Sequence, residues 1–297
     1  MIKIAVIGIG NMGTNHAINI FEGKVDGMEL ACICDVKASR LEWAKNEFGG
    51  KVKLFQSSDE LFKNDDLFDA IIIATPHYDH PSLAIEAFEL GKHVLVEKPS
   101  GVYTKNVREM NAAAEKAGKK FCIMFNNRTN PVYQKVRELL QSGEPGTLKR
   151  MIWIATNWYR PQAYHDSSTW RSTWVGEGGG VLINQCPHNF DLWQWLCGGI
   201  PKRVRAFAEF GKHYNIEVED DVTAYAEYDN GMTAAFITTT GEAPGTNRLE
   251  FSGTKGKLVL ENGDKLTFWR NEVDEREFNA EFKGGFGNPE VWKCEIR

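Results

Sequence analysis

The chain opens with a short apolar run, Met1-Ile2-Lys3-Ile4-Ala5-Val6-Ile7, that feeds directly into Gly8-Ile9-Gly10-Asn11-Met12-Gly13. Such a run reads as a buried parallel strand, and a Gly-x-Gly-x-x-Gly spacing at its end reads as a sharp turn into a helix. Gly8 permits the tight turn, Gly10 leaves nothing to block a pyrophosphate, and Gly13 lets the helix pack close to the strand. The helix then offers unpaired N–H groups and the positive end of its dipole to phosphates, with Asn11 and Met12 lying between the glycines. A second apolar run, Leu30-Ala31-Cys32-Ile33-Cys34, ends in Asp35, about 20 residues beyond Gly13. A carboxylate at that strand tip can accept both ribose hydroxyls of an adenine nucleotide, so the opening predicts a dinucleotide site. Asp35 favours NAD over NADP, because a 2′-phosphate meets its charge, although Lys37 and Arg40 stand close enough in sequence to soften that repulsion.

Up to about residue 122 strands alternate with helices, which predicts a doubly wound parallel α/β sheet over 1–122. Strands are expected at 69–74, 93–96 and 120–125. Helices are expected at 13–21, 39–48 with Ser39 as cap, 80–90 with Pro81 in its first turn, and 104–117 closed by Gly118. Over 123–297 the pattern changes to one long helix at 131–141 and a series of alternating strands, with Asn230-Gly231 and Asn262-Gly263 as hairpin turns. This predicts an α+β domain on a largely antiparallel open sheet, one face of which must be covered by helices or by a partner subunit. The last residues, Trp292-Lys293-Cys294-Glu295-Ile296-Arg297, read as a chain cut short.

A length of 297 residues allows two separate cores. A net charge of −5 and a pI near 5.9 speak against a nucleic-acid surface. Six cysteines without a Cys-x-x-Cys pair or zinc-ligand spacing predict buried thiols in a reducing cytoplasm and no metal site. The N-terminus lacks the features of a signal peptide, and no apolar run reaches membrane-spanning length.

Three clusters carry chemistry. Glu97-Lys98-Pro99 follows the strand at 93–96, and ligands of open α/β sheets bind at strand carboxyl ends. A lysine there reads either as a solvated loop residue or as an ammonium that holds a substrate hydroxyl and, with a lowered pKa, takes its proton. Ala74-Thr75-Pro76-His77-Tyr78-Asp79-His80 has the same strand-end placement; its histidines read as capping or cofactor-packing groups rather than metal ligands. The densest cluster is Trp170-Arg171, Gly178-Gly179-Gly180 and Asn184-x-x-x-His188-x-x-Asp191. On one continuous helix, 184, 188 and 191 share a face and bring an amide, an imidazole and a carboxylate toward a cleft; a capping Asn184 and a core His188 fit the spacing equally. Six of the nine tryptophans fall between Trp153 and Trp195, suited either to stacking on a sugar ring or to core packing.

Together these residues resemble the glucose–fructose oxidoreductase/inositol dehydrogenase (Gfo/Idh/MocA) family. The resemblance runs over nearly the whole chain, through Gly8–Gly13, Asp35, Ala74-Thr75-Pro76 with His80, Glu97-Lys98-Pro99, Asn126-x-Arg128, Trp170-Arg171 and the triple glycine with His188. It implies oxidation of a hydroxyl of a sugar or polyol, with hydride passed to NAD or, less readily, NADP. It implies that Lys98 holds and helps deprotonate the reacting hydroxyl and that His188 is the proton acceptor or relay. Asn184 stands where relatives often carry an aspartate, and an amide can bond a hydroxyl but cannot hold a negative charge beside His188. The cofactor is expected on Gly8, Gly10, Asn11, Met12, Gly13, Asp35, Arg40, Ala74, Thr75, Pro76, His77, His80, Glu97, Lys98 and Asn126. Arg128, Tyr159, His165, Trp170 and Arg171 are expected to wall the substrate pocket with Asn184 and His188. The open sheet implies a homodimer or homotetramer. An NAD-using glycoside hydrolase and a non-catalytic dinucleotide or sugar sensor are the competing functions.

Overall fold

The structure, a computed structural model, describes residues 1–296. The chain divides into two compact units. One comprises Met1–Met124 with Val175–Gly178, and the other comprises Phe125–Trp174 with Gly179–Arg297.

In the first unit, strands and helices alternate as β1 (Ile2–Ile7), α1 (Asn11–Phe21), β2 (Met28–Cys34), α2 (Ala38–Glu47), β3 (Lys53–Phe55), α3 (Ser58–Phe62), β4 (Ala70–Ile73), α4 (His80–Glu89), β5 (His93–Val96), α5 (Thr104–Ala117) and β6 (Phe121–Ile123). Every pairing is parallel, in the order β3-β2-β1-β4-β5-β6. Parallel strands are buried on both faces because their crossovers lay helices on both. Ala5, Ile7, Cys34, Ile73 and Val96 therefore pack with Phe88 of α4 and Met110 of α5, while Ile4, Val6 and Ile33 pack with Ala17 and Ile20 of α1 and Ala44 of α2. Each large aliphatic side chain so buried contributes roughly 1.5–3 kcal/mol. The strand order reverses direction between β1 and β4, and the carboxyl edge at such a switch point is where ligands of this architecture bind. Helix α5 has the bounds its pattern predicts and ends on Gly118 in the left-handed conformation. Helix α2 starts one residue early, on Ala38, with Lys37 at its N-cap and no side-chain cap; Ser39 lies inside the helix instead of capping it.

The second unit runs α6 (Pro131–Gln141), β7 (Leu148–Ala155), α7 (Gln162–His165), α8 (Val181–Asn184), α9 (Pro187–Cys197), β8 (Arg203–Phe210), β9 (Glu219–Glu227), β10 (Thr233–Thr239), β11 (Asn247–Gly253), β12 (Gly256–Glu261), β13 (Lys265–Asn271), α10 (Glu275–Glu281) and β14 (Val291–Ile296). Its eight strands are ordered β14-β13-β12-β11-β7-β10-β9-β8, and only β7 and β10 pair in parallel. Alternation along these strands sends Met151, Trp153, Phe236, Leu249 and Phe251 to an inner face covered by Val136 of α6, Val181 of α8 and Leu192 and Trp193 of α9. Helix α6 begins as its sequence dictates: the Asn130 side chain accepts the Val132 N–H at 2.8 Å, and Pro131 takes the first turn. The continuous helix expected through 184, 188 and 191 is not formed. Asn184 ends α8 and Pro187 starts α9, because a proline lacks the N–H that a continuing helix needs.

Candidate active site

In the first unit the glycine turn separates what the protein itself requires from what it leaves open. Gly8 has φ +80°, and a Cβ there would lie 2.7 Å from the Ala74 carbonyl oxygen. A Cβ on Gly13 would lie 1.8 Å from the Gly8 carbonyl oxygen, so α1 reaches β1 only without one. A Cβ on Gly10 meets nothing within 4 Å. Gly10 is the N-cap of α1 and offers no side chain to the first N–H groups, and the first turn, with Asn11 and Met12, holds no acid. The space in front of the helix, bounded by unpaired N–H donors, fits a dinucleotide pyrophosphate.

Asp35 follows β2 at the same sheet edge. Its Oδ2 accepts the Ile9 N–H at 2.9 Å and its Oδ1 the Lys37 N–H at 2.8 Å. Each oxygen has a second lone pair, so the carboxylate is oriented by the backbone and still able to accept ribose hydroxyls. Arg40 donates from Nε to the Ile9 carbonyl at 2.7 Å and from Nη2 to Thr14 Oγ1 at 2.6 Å, and its guanidinium lies 4.9 Å from the Trp43 ring centre. It braces the glycine turn from the side of α2.

Two further strand ends complete this edge. After β4, Ala74 donates its N–H to the Ile7 carbonyl, Thr75 and Pro76 turn the chain, and buried His77 places Nδ1 3.0 Å from the Glu177 carbonyl. His80, expected against the cofactor, sits beneath the loop at 1% exposure, with Nδ1 2.7 Å from the Pro99 carbonyl and Nε2 2.9 Å from the Thr75 carbonyl. After β5, buried Glu97 meets His16 Nε2 of α1 at 2.7 Å and accepts the Lys98 N–H at 3.2 Å. Burial alone raises the Glu97 pKa, but His16 and the Lys98 N–H outweigh it and hold the carboxyl below its ordinary range. His16 is a residue that the sequence reading missed; its place three positions beyond Gly13, on the helix after the turn, is the only signal for it.

The other expected residues lie in the second unit. Asn126 and Arg128 stand in a short 3-10 turn before α6. Arg128 grips Asp191 of α9 with Nε to Oδ2 at 2.7 Å and Nη2 to Oδ1 at 2.5 Å. This is a charge-assisted fork on a carboxylate that is nearly buried. His188 lies in the first turn of α9 with the Phe125 ring edge-on at 6.1 Å. Tyr164 of α7, also unforeseen, gathers much of the remainder. Its hydroxyl accepts from Arg171 Nη1 at 2.7 Å, Asn184 Nδ2 at 3.3 Å and Gln185 Nε2 at 3.2 Å, and the Arg171 guanidinium stacks between the Tyr164 and Trp170 rings at 4.4 and 4.6 Å. His165 is buried, with Nδ1 2.6 Å from Ser172 Oγ, and Tyr159 is exposed. His165 and Arg171 line a cavity of about 420 Å³ with Ser168, Thr173, Asn215 and Glu217. The triple glycine has a local cause. A Cβ on Gly180 would lie 2.0 Å from the Glu219 carbonyl oxygen, and the buried Glu219 carboxylate accepts the Gly180 and Leu182 N–H groups at 2.9 and 3.0 Å, fixing the start of α8.

Burial holds the pKa of both His80 and His165 below the ordinary value of 6.5. The unfolded chain therefore binds more protons than the folded one as pH falls below 6.5, so stability is full above that pH and is lost toward acid. The carboxyls of Glu97 and Asp274, held low in the folded state, act in the same direction at still lower pH. Thermal denaturation is expected to give a Tm at pH 5 several degrees below that at pH 7.5. A Tm that rises on acidification would contradict this assignment.

Comparison with known proteins agrees with this architecture. Residues 2–125 match the oxidoreductase family with an NAD-binding Rossmann fold, and residues 133–259 match the GFO/IDH/MocA C-terminal domain. The chain is 27% identical to the scyllo-inositol 2-dehydrogenase (NAD(+)) of Bacillus subtilis over 87% of its own length and 73% of that protein. It is 25% identical to the myo-inositol 2-dehydrogenase of Thermotoga maritima, over 89% and 77%. The WlbA dehydrogenase of Chromobacterium violaceum, solved with NADH and UDP-GlcNAcA, superposes with a TM-score of 0.84 at 29% identity, covering 97% of this chain and 83% of that one. Among the described residues no helix is long and apolar enough to cross a membrane. The parallel sheet with its glycine turn, the mostly antiparallel second sheet and both sequence matches lead to one assignment: the chain belongs to the Gfo/Idh/MocA family of oxidoreductases and carries that family's NAD-binding Rossmann unit.

Proposed function

We propose that the protein is an NAD-dependent dehydrogenase that oxidises a CH–OH group of a sugar, polyol or sugar derivative, with Lys98 and His188 handling the proton. The observation that carries this reading is the position of Lys98. It stands two residues past the end of β5 at the carboxyl edge of the parallel sheet, the edge that also bears the α1 N-terminus and Asp35. NAD, when bound, supplies the hydride acceptor at nicotinamide C4. The α1 N–H groups at Gly10 hold the pyrophosphate, Asp35 holds the ribose, and the loops at 74–77 and 97–98, with Asn126, line the rest. Lys98 Nζ holds the reacting hydroxyl and takes its proton, and the His188 imidazole accepts that proton or passes it on. Asn184 brings an amide and no charge, so it orients a hydroxyl while Lys98 carries the larger share of the proton chemistry.

Residues 1–122 serve as the cofactor unit and 123–297 as the substrate-binding and oligomerisation unit. The hydroxyls, amide and guanidinium around the 420 Å³ cavity suit a polyhydroxylated ligand, with Arg128, Tyr159, Trp170 and Arg171 as further pocket wall. The relatives point the same way, since two are inositol dehydrogenases and one was solved with a nucleotide-linked sugar acid. The outer face of the second sheet carries half-buried Ile152, Ile154 and Ile237 and exposed Phe207, Tyr225 and Trp269, a surface suited to a homodimer or homotetramer. Light scattering at micromolar concentration tests this, and a monomer would contradict it. A reducing cytoplasm is the compartment that fits six cysteines with no disulfide among the described residues.

The test is a panel of myo- and scyllo-inositol, hexoses, UDP-linked sugar acids and aryl glycosides with NAD. Appearance of NADH with a polyol or sugar is expected. Release of aryl alcohol without net NADH would instead favour glycoside cleavage, and tight NAD binding with no reaction would favour a sensor. Cofactor choice follows from Asp35. NAD is expected to bind at least about tenfold more tightly than NADP, a gap of ~1.4 kcal/mol, and Asp35→Ser is expected to close most of it. Tighter NADP binding by the unaltered protein would overturn this role for Asp35.

A further inference from the structure

The two residues flanking Lys98 are each tied down by a histidine from a different helix. On one side, Glu97 continues the sheet through its N–H to the Ile73 carbonyl, and its carboxylate meets His16 of α1 at 2.7 Å. On the other side, the Pro99 carbonyl lies 2.7 Å from Nδ1 of His80, the first residue of α4, and Nε2 of the same ring lies 2.9 Å from the Thr75 carbonyl. Beyond Pro99 the loop stays close to α4, since a Cβ on Gly101 would lie 2.8 Å from Pro81 Cγ. His80 is almost fully buried, and its hydrogen-bond partners are two main-chain carbonyls. One of those carbonyls belongs to the turn after β4 and the other to the turn after β5, so the ring spans the gap between them.

We propose that His80 is a positioning residue for Lys98, its imidazole fixing the spacing between the loop that bears Lys98 and the Thr75–Pro76 turn, with the Glu97–His16 pair anchoring the other flank. The inference rests on the part assigned to Lys98 above. The ring does two things: it fills the space beneath the loops, and it supplies an N–H to the buried Pro99 carbonyl or the part-buried Thr75 carbonyl. A neutral imidazole donates to one carbonyl at a time, and an imidazolium to both. Displacement of a reacting group by about 1 Å is enough to cost about 10²-fold in rate, so a loop that loses this strut is expected to lose turnover before it loses cofactor.

Two variants separate bonding from filling. His80→Leu keeps bulk and removes the donor; His80→Gln keeps N–H groups, because its amide carries two of them. With the best substrate of the panel, His80→Leu is expected to lower kcat by about 10- to 100-fold while the NAD Kd, set by Gly10 and Asp35, moves by less than about threefold. His80→Gln is expected to recover most of the loss. Amide hydrogen exchange on the protein without added substrate gives a readout independent of turnover. Exchange at 75–78 and 97–101 is expected to quicken in His80→Leu and not in His80→Gln, with α1 unchanged. A folded His80→Leu protein with unaltered kcat and unaltered exchange at 97–101 would overturn the proposal. If His80→Leu does not fold, His80→Gln is judged alone: slow exchange at both loops with near-normal kcat is expected, and rapid exchange there overturns it. Loss of the reading of Lys98 looks different, because exchange would still respond to His80 while removal of the Lys98 ammonium would leave turnover intact.

Discussion

Replacing Lys98 with methionine is expected to lower kcat by about 10²–10⁴-fold, the usual share of a group that moves a proton in the transition state. Methionine keeps most of the stem and removes only the ammonium. The backbone of the position is held independently of its side chain: the N–H donates to Glu97, and Glu97 is held in turn by His16. NAD affinity, which depends on the α1 N-terminus and Asp35, is therefore expected to stay within about threefold, and the loss is expected in kcat and kcat/KM together. Steady-state rates and a fluorescence titration with NAD check both halves. A Lys98→Met protein with full turnover would remove Lys98 from the chemistry. A protein that also loses NAD binding would mean that the ammonium serves the cofactor.

The second large effect contrasts two glycines three positions apart. Gly10→Val adds a side chain into open space, so the protein is expected to fold with a Tm close to that of the unaltered chain. That side chain fills the approach to the α1 N–H groups, and NAD affinity is expected to fall by at least about 100-fold, ~2.7 kcal/mol. Gly13→Ala adds a single methyl group 1.8 Å from the Gly8 carbonyl oxygen, a distance that no contact tolerates. Either α1 moves off β1 or the turn at Gly8 opens, and both break the packing of Ala17 and Ile20 against Ile4 and Val6. The cost is expected at or beyond the upper end of the ~1–3 kcal/mol typical of an overpacked core. Differential scanning fluorimetry with and without NAD separates the two: Gly10→Val keeps its Tm and loses the shift that NAD produces, whereas Gly13→Ala loses the Tm itself. Equal Tm values with equal NAD response would contradict the division of labour in the turn.

These two glycines also mark what the sequence alone reveals. The apolar run, the turn and the carboxylate of Asp35 are legible because the physics that links them is local: a strand, a tight turn and a helix follow one another within a few residues. The same holds for α5, ended by Gly118, and for α6, begun by Asn130 and Pro131. What was not legible depends on residues far apart. Arg128 and Asp191 stand 63 positions apart, and nothing in their spacing shows that the guanidinium grips that carboxylate. The cause of the triple glycine is equally remote, because Glu219, whose carboxylate accepts the Gly180 N–H, lies 39 positions beyond it. Tyr164 carries no pattern at all and becomes central only because Arg171, Asn184 and Gln185 turn toward one oxygen. The helical periodicity of 184, 188 and 191 was real in spacing, but Pro187 splits the segment, so Asn184 and His188 sit on two helices whose relation no repeat in the sequence encodes. The three-residue β3 was likewise invisible, since so short a strand shows little alternation.

In the reaction proposed above, hydride leaves a carbinol carbon for bound NAD. The most direct measurement uses the best substrate of the panel, deuterated at its carbinol carbons, with mass spectrometry of the recovered cofactor. NADH carrying one deuterium is expected. Product formed with unlabelled cofactor, or tight NAD binding with no panel member ever reducing it, would rule out this hydride transfer.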